Sequence, residues 1–151
     1  MNTATLTATN ARRIDKLIAH YAESHGNYAN ELIHCVAIPL IMLSIVGLVY
    51  AAHPYAALAF VAASLVYYAR LSLKALLVMA LTSVIGLVLV YLMGSERIAI
   101  CATMFVVAWI FQFIGHHIEG KKPSFFEDLQ YLWVGPLFVL QYMFAKRGLK
   151  F

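Results

Sequence analysis

The chain has 151 residues, 63% of them hydrophobic and only 12% charged, with a formal net charge of +4 and a mean hydropathy of +0.80. Soluble domains run nearer half apolar and a quarter charged, so a water-soluble globule is excluded and the bilayer is the expected solvent. At about 20 residues per crossing, one domain of this length makes at most about four or five passes, too few for a transporter of repeated halves unless the chain forms a homo-oligomer.

Residues 1–11 are rich in Thr, Ala and Asn and lack an apolar stretch, so they read as a disordered tail rather than a secretory signal. Residues 12–151 read as a single membrane-embedded helical domain. The stretch from Arg12 to Ile33 is polar, mixed and dense in His, Asn and Glu. Four apolar runs follow: His34 to Ala52, stopped by His53-Pro54; Pro54 to Ala69, stopped by Arg70; Lys74 to Met93, stopped by Gly94-Ser95-Glu96-Arg97; and Ile98 to Gly115. Each is long enough to cross, the second being a tight fit at about 24 Å of helix. A polar segment, His116 to Asp128, contains Gly120 as a helix stop and Ser124-x-x-Glu127 as a capping box. A fifth apolar run, Leu129 to Ala145, carries Gly135-Pro136 in its middle and reads as a Pro-kinked span, a re-entrant hairpin or an interfacial helix.

The expected fold is therefore an all-α integral membrane protein of four transmembrane helices plus that fifth segment. Positive charge sets its orientation. With four crossings, Arg12, Arg13, Lys16, Arg70, Lys74, Lys121, Lys122, Lys146, Arg147 and Lys150 share one face and only Arg97 is opposite. A fifth crossing would move the last three outside. The positive-inside rule thus favours four crossings with both termini cytoplasmic, in the inner membrane of a prokaryote or the endoplasmic reticulum of a eukaryote. The excess charge then serves orientation and contact with anionic headgroups, not nucleic acid. Cys35 and Cys101 lie in different runs with no CxxC spacing, so neither a disulfide framework nor a thiolate metal site follows.

This topology sorts the six histidines. His20, His25 and His34 precede or open the first crossing, and His116 and His117 end the fourth, so both groups meet at the cytoplasmic face. His53 lies a bilayer thickness away and reads as a turn residue beside Pro54. Gln112, His116 and Glu119 are spaced by four and three residues, and Asn27, Asn30 and His34 by three and four, which makes two polar helix stripes. His25 is about half a turn out of phase with His34 and shares a ligand with it only if the chain bends, for which Gly26 is suited. Polar side chains at membrane depth are costly and face interior sites, so Gln112, His116 and His34 are functional candidates. Imidazoles with a carboxylate suit Fe(II) and oxygen, while three His with a water suit zinc; two-histidine haem ligation is a further option, and headgroup contact without metal is the ordinary alternative.

The string Tyr21-x-x-x-His25-x-Asn27-x-x-Asn30-x-x-x-His34, followed by Pro39, and the string Phe111-Gln112-Phe113-Ile114-Gly115-His116, followed by Lys121-Lys122-Pro123 and Gly135-Pro136, resemble a known family. These are the small membrane proteins related to the fungal enzyme that metabolises phytosphingosine to odd-numbered fatty acids, and the resemblance extends over roughly residues 13 to 145. It implies a dioxygenase dependent on Fe(2+), which converts a long-chain 2-hydroxy fatty acid and O2 to a fatty acid one carbon shorter by α-oxidation. Carried over residue by residue, the family histidines match His25, His34 and His116 as the catalytic and metal-binding set, with Glu119 or His117 completing it. Asn27, Asn30 and Gln112 would fix the imidazoles. Lys121 and Lys122 would hold the substrate carboxylate, against their ordinary reading as membrane anchors. Trp109, Phe111 and Phe113 beside the site suit an acyl channel, though aromatic residues in a membrane helix more often pack or meet lipid. Two rival readings use the same residues: a non-catalytic membrane protein that binds metal or lipid, and a zinc-dependent lipid hydrolase. No Walker loop, nucleotide fingerprint or nucleic-acid motif is present.

Overall fold

The computed structural model describes residues 27–120 and 133–145. Among them are five α-helices and one 3-10 turn, and no strand. Helix α1 (Tyr28–Ala52) starts where Asn27, in extended backbone, accepts a hydrogen bond from the Ala29 N–H at 2.9 Å. It ends at His53, which is also extended, and Pro54 opens α2 (Pro54–Ala69) at its first position, where a missing N–H costs no intrahelical bond. Ser72 caps α3 (Leu73–Leu92) through a 3.0 Å bond from the Ala75 N–H. After the 3-10 turn (Gly94–Glu96), α4 (Arg97–Glu119) runs to Gly120, whose φ of 72° ends the helix in the left-handed conformation that glycine adopts without strain. Arg97 serves the end of α3: its Nε donates to the Val90 carbonyl at 2.7 Å, and its guanidinium lies over the Tyr50 ring at 4.6 Å.

The second and third apolar runs coincide with α2 and α3 to within a residue, but α1 and α4 each reach further than hydropathy indicates. Helix α1 begins at Tyr28 rather than His34, and α4 continues to Glu119 rather than stopping at Gly115. The true stops are a cap and a left-handed glycine, and the polar residues before and after the apolar stretches are retained because they face each other. Both histidine stripes therefore lie within helices. Helices α1 and α3, and α4 with its preceding turn, are long and apolar enough to cross a membrane, whereas α2 has 16 residues. Leu77, Leu81, Val84, Ile85 and Val88 on α3 are exposed, as expected of a helix bathed in acyl chains.

Helix α1 is the hub, packed along α4 over the greatest length and also against α2, α3 and α5 (Val134–Ala145). The α1–α4 pair is antiparallel and admits close approach at both ends. A Cβ at Gly47 of α1 would strike the Cys101 sulfur, and one at Gly115 of α4 would strike Asn30 Oδ1. Pro136 is the third residue of the 12-residue helix α5, so it sits in the first turn and does not kink this helix. Val134, Leu137 and Val139 bury against Ile38, Tyr68 and Met79. The Tyr68 hydroxyl donates to the Trp133 carbonyl at 3.0 Å and Trp133 Nε1 donates to Ser64 Oγ at 2.9 Å, tying the start of α5 to the end of α2. The tail at 1–11, the capping box at Ser124 and the residues 129–132 lie outside the described residues.

Candidate metal site at the α1–α4 junction

The first turns of α1 and the last turns of α4 bring the two polar stripes together. Asn30 is 0% exposed, His34 1%, His116 5% and Gln112 7%, so four polar side chains are buried at one junction in a chain with few polar residues to spend. The rings of His34 and His116 stand edge to face with centroids 5.1 Å apart. Glu119 is half-buried at the end of the same stripe. Its Oε2 accepts two hydrogen bonds from α1, one from the Asn27 backbone N–H and one from Asn30 Nδ2, each at 3.0 Å. His34 Nδ1 lies 2.9 Å from the Asn30 carbonyl oxygen. That oxygen only accepts, so Nδ1 carries the proton and Nε2 is the acceptor nitrogen of the ring.

A metal fits this arrangement in part. With metal–nitrogen bonds of about 2.1 Å, two imidazoles on one ion hold their centroids about 4.6–5.3 Å apart for angles of about 90–110°, and the observed separation falls inside that range. A ring pair without metal has similar spacing. The stronger indication is the hydrogen bond from Nδ1 to a backbone carbonyl, the arrangement that orients metal-binding histidines. Among the described residues, however, no group of three His, Cys, Asp or Glu side chains is placed to hold one ion. His34 and His116 would supply two ligands, and a third would have to come from elsewhere. His25, the expected partner, lies outside the described residues, as do His20, Lys121 and Lys122.

The remaining expected residues separate clearly. His117 is exposed, one residue out of phase with the buried stripe. His53 is exposed in the α1–α2 turn and stacks on Tyr55 with centroids 5.6 Å apart, which is the turn role expected of it. Asn27 is a helix cap as well as a partner of Glu119. Trp109 packs between the Phe105 and Phe113 rings beside the Ala37, Ile41 and Ala108 cluster and serves the helix interface. Phe111 instead lines an open apolar groove of about 250 Å³ between α1 and α4, together with Leu32, Ile33, Val36, Leu40 and Val107. Ile33 joins groove and site, because its Cγ2 lies 3.4 Å from where a Gly115 Cβ would stand, next to His116. A second apolar cavity, of about 180 Å³, lies among α1, α2, α3 and α5 and contains no residue of α4.

Two features escaped the sequence reading. One is Gly115 as the spacer that admits Asn30, signalled only by a glycine immediately before the histidine of an apolar helix. The other is a pair of buried acceptors, Asn30 Oδ1 and Gln112 Oε1, which have no hydrogen-bond partner among the described residues.

Residues 11–147 match the family model described as 2-hydroxy-palmitic acid dioxygenase Mpo1-like. The chain belongs to the Mpo1-like family. No curated protein and no solved structure gave a significant match. The family description points to oxygenation of 2-hydroxy fatty acids, and the match covers every residue of the junction.

Proposed function

We propose that this Mpo1-like protein is an Fe(II)-dependent dioxygenase that shortens long-chain 2-hydroxy fatty acids by one carbon. The balanced reaction takes R–CHOH–COOH and O2 to R–COOH, CO2 and H2O, the bond between C1 and C2 being broken. The observation that carries the proposal is the buried His34–His116 pair, its rings edge to face, with His34 Nδ1 held on the Asn30 backbone carbonyl. Iron held by His34, His116 and, from outside the described residues, His25 would supply the activation of O2 that water and side chains lack.

The chain's own residues do the rest. Gln112 Oε1 and Asn30 Oδ1 are buried acceptors, and a 2-hydroxyl group is a donor of matching chemistry. The hydroxyl donates one hydrogen bond and so satisfies one of the two oxygens, which an unsubstituted fatty acid would not, and this favours the hydroxylated substrate. The acyl tail extends from the junction into the α1–α4 groove, whose residues lead away from Ile33 and Phe111 toward Leu40 and Val107. That groove is open along its side, so a tail enters from the bilayer without crossing water. Lys121 and Lys122 follow α4 directly in sequence and would attract the carboxylate.

The same junction supports four crossings. Asn27 and Asn30 at the start of α1 bond Glu119 at the end of α4, so those two ends share a face. Three spanning helices would leave them on opposite faces; a traverse by α2, about 24 Å long, restores parity. With the positive-inside rule this parity favours a site at the cytoplasmic face, in keeping with the expectation that both termini are cytoplasmic.

The test is anaerobic purification, metal quantification, and addition of 2-hydroxypalmitate with and without O2. A C15 acid formed only by the iron form with O2, and lost in His116→Ala, is the expected result. Turnover without O2, or full activity after iron is exchanged for zinc, would refute it and favour the hydrolase.

A further inference from the structure

We propose that Glu119 is a positioning residue and not an iron ligand: it holds Asn30, and through Asn30 it sets the orientation of His34. This rests on the reading of His34 as a ligand and assigns the carboxylate of the same stripe a separate task.

Two hydrogen bonds meet at one residue: Glu119 Oε2 accepts from the Asn30 side-chain Nδ2 at 3.0 Å, and the backbone carbonyl of Asn30 lies 2.9 Å from His34 Nδ1. The same Oε2 takes the Asn27 N–H at 3.0 Å, a donor left over at the start of α1. A carboxylate near a helix N-terminus is favoured by the helix dipole, and its bonds to N–H donors are charge-assisted. One of the two carboxylate oxygens is thereby committed to two donors on another helix. On its other side the Asn30 amide abuts Gly115, where a Cβ would strike Oδ1. Asn30 therefore sits between a carboxylate and a glycine of the same helix, with no exposed surface, and its side chain has one orientation. The turn of α1 that carries the Asn30 carbonyl is anchored to the α4 helix that carries His116. Loss of the anchor frees that turn, and with it the acceptor that keeps the proton on His34 Nδ1.

The hypothesis separates two substitutions that differ by one group. Glu119→Gln keeps an amide oxygen that accepts from the same two donors but is a poor ligand for iron. Glu119→Met keeps length and helix preference and removes the acceptor. Two readouts are taken: Fe(II) affinity, and the tautomer of His34 in metal-free protein from ¹⁵N NMR of histidine-labelled samples, assigned by the signal missing in His34→Gln. Glu119→Gln should hold both at the wild-type level. Glu119→Met should lose the single Nδ1–H tautomer and bind iron about 10–100-fold more weakly, the usual loss when a partner of a metal ligand is removed. Iron loss in Glu119→Gln as severe as in Glu119→Met would overturn the proposal and make the carboxylate a ligand. An unchanged His34 tautomer in Glu119→Met would overturn it as well. Should Glu119→Met fail to fold, Glu119→Gln still decides, because loss of the tautomer there contradicts the proposal. If wild-type protein binds no iron, the dioxygenase reading fails on its own, while the tautomer comparison in metal-free protein continues to decide the role of Glu119.

Discussion

Gly115→Ala adds one methyl group at the tightest contact of the junction. Its Cβ would strike Asn30 Oδ1 and stand 3.4 Å from both Asn30 Cγ and Ile33 Cγ2. Asn30 has no exposed surface to retreat to, so the strain falls on a packed wall. Overpacking of this kind costs about 1–3 kcal/mol. If Asn30 swings away instead, the charge-assisted bond to Glu119, worth about 1.5–3 kcal/mol, is lost. Alanine's better helix propensity, up to about 1 kcal/mol in water, offsets little, because helices separated within a bilayer stay helical.

Gly86→Ala is the matched control. Its Cβ would meet only Leu43 Cδ1, at 3.7 Å, an ordinary contact, and the expected change is within about 0.5 kcal/mol. Unfolding by steric trapping in bicelles gives both values on one scale. Gly115→Ala should fall about 1–3 kcal/mol below Gly86→Ala and should disturb the His34 imidazole signal, which Gly86→Ala leaves in place. Equal stability of the two variants would refute the account of the junction as a closely fitted wedge.

His34→Ala and His116→Ala should each reduce iron binding at least about tenfold, measured by metal content after gel filtration, because each would remove one ligand of the proposed small set. Val36→Trp, at an exposed position in the α1–α4 groove, should shift preference from 2-hydroxypalmitate toward shorter chains in competition assays, while Thr82→Trp in the other cavity should not; the reverse pattern would place the tail among α1, α2, α3 and α5. In protein whose Cys35 and Cys101 are replaced, cysteines at His53 and Ser95 should react with an impermeant thiol reagent from the face opposite to a cysteine at Gly120, and labelling of Ser95 and Gly120 from the same face would rule out the four-crossing arrangement. Arg97→Ala should lower stability by about 1–3 kcal/mol in the bicelle assay, since the Val90 carbonyl loses its charged donor.

The helical fold and its punctuation were legible because the signals are local. His53-Pro54 and Gly120 stop or start helices through their own backbones, and hydropathy finds any run that faces lipid. Hydropathy alone cut both histidine-bearing runs short, at His34 and at Gly115, because Asn30 and His116 are polar yet buried; Gly120 is the helix stop expected for α4. Helical spacing recovered what hydropathy missed: it aligned Asn30 with His34 and Gln112 with His116, and an expected even number of crossings set the two stripes at one face. What spacing could not supply is the third dimension. It marked Glu119 as part of a ligand stripe but gave no sign that its carboxylate faces two donors on α1. It grouped Phe111 with Trp109, though one lines a groove and the other packs an interface. The Gly135-Pro136 pair looked like an interruption because hydropathy starts the run at Leu129, ahead of Val134, where α5 opens.

The cost of the junction bears on its function. Asn30, His34, Gln112 and His116 would each be favoured at the helix surface near water, and burying them requires hydrogen bonds that the structure provides only incompletely. Two buried carbonyl oxygens with no partner among the described residues would be expensive in a purely structural interface, where Ala or Leu would pack more simply. At the other end of the same helix pair, Gly47 and Cys101 achieve an equally close approach with no unsatisfied polar group among them. Close packing alone therefore does not require the polar set. The chain maintains it at the one end where two histidines meet and an apolar groove begins, the pairing needed by a ligand with a polar head and an acyl tail.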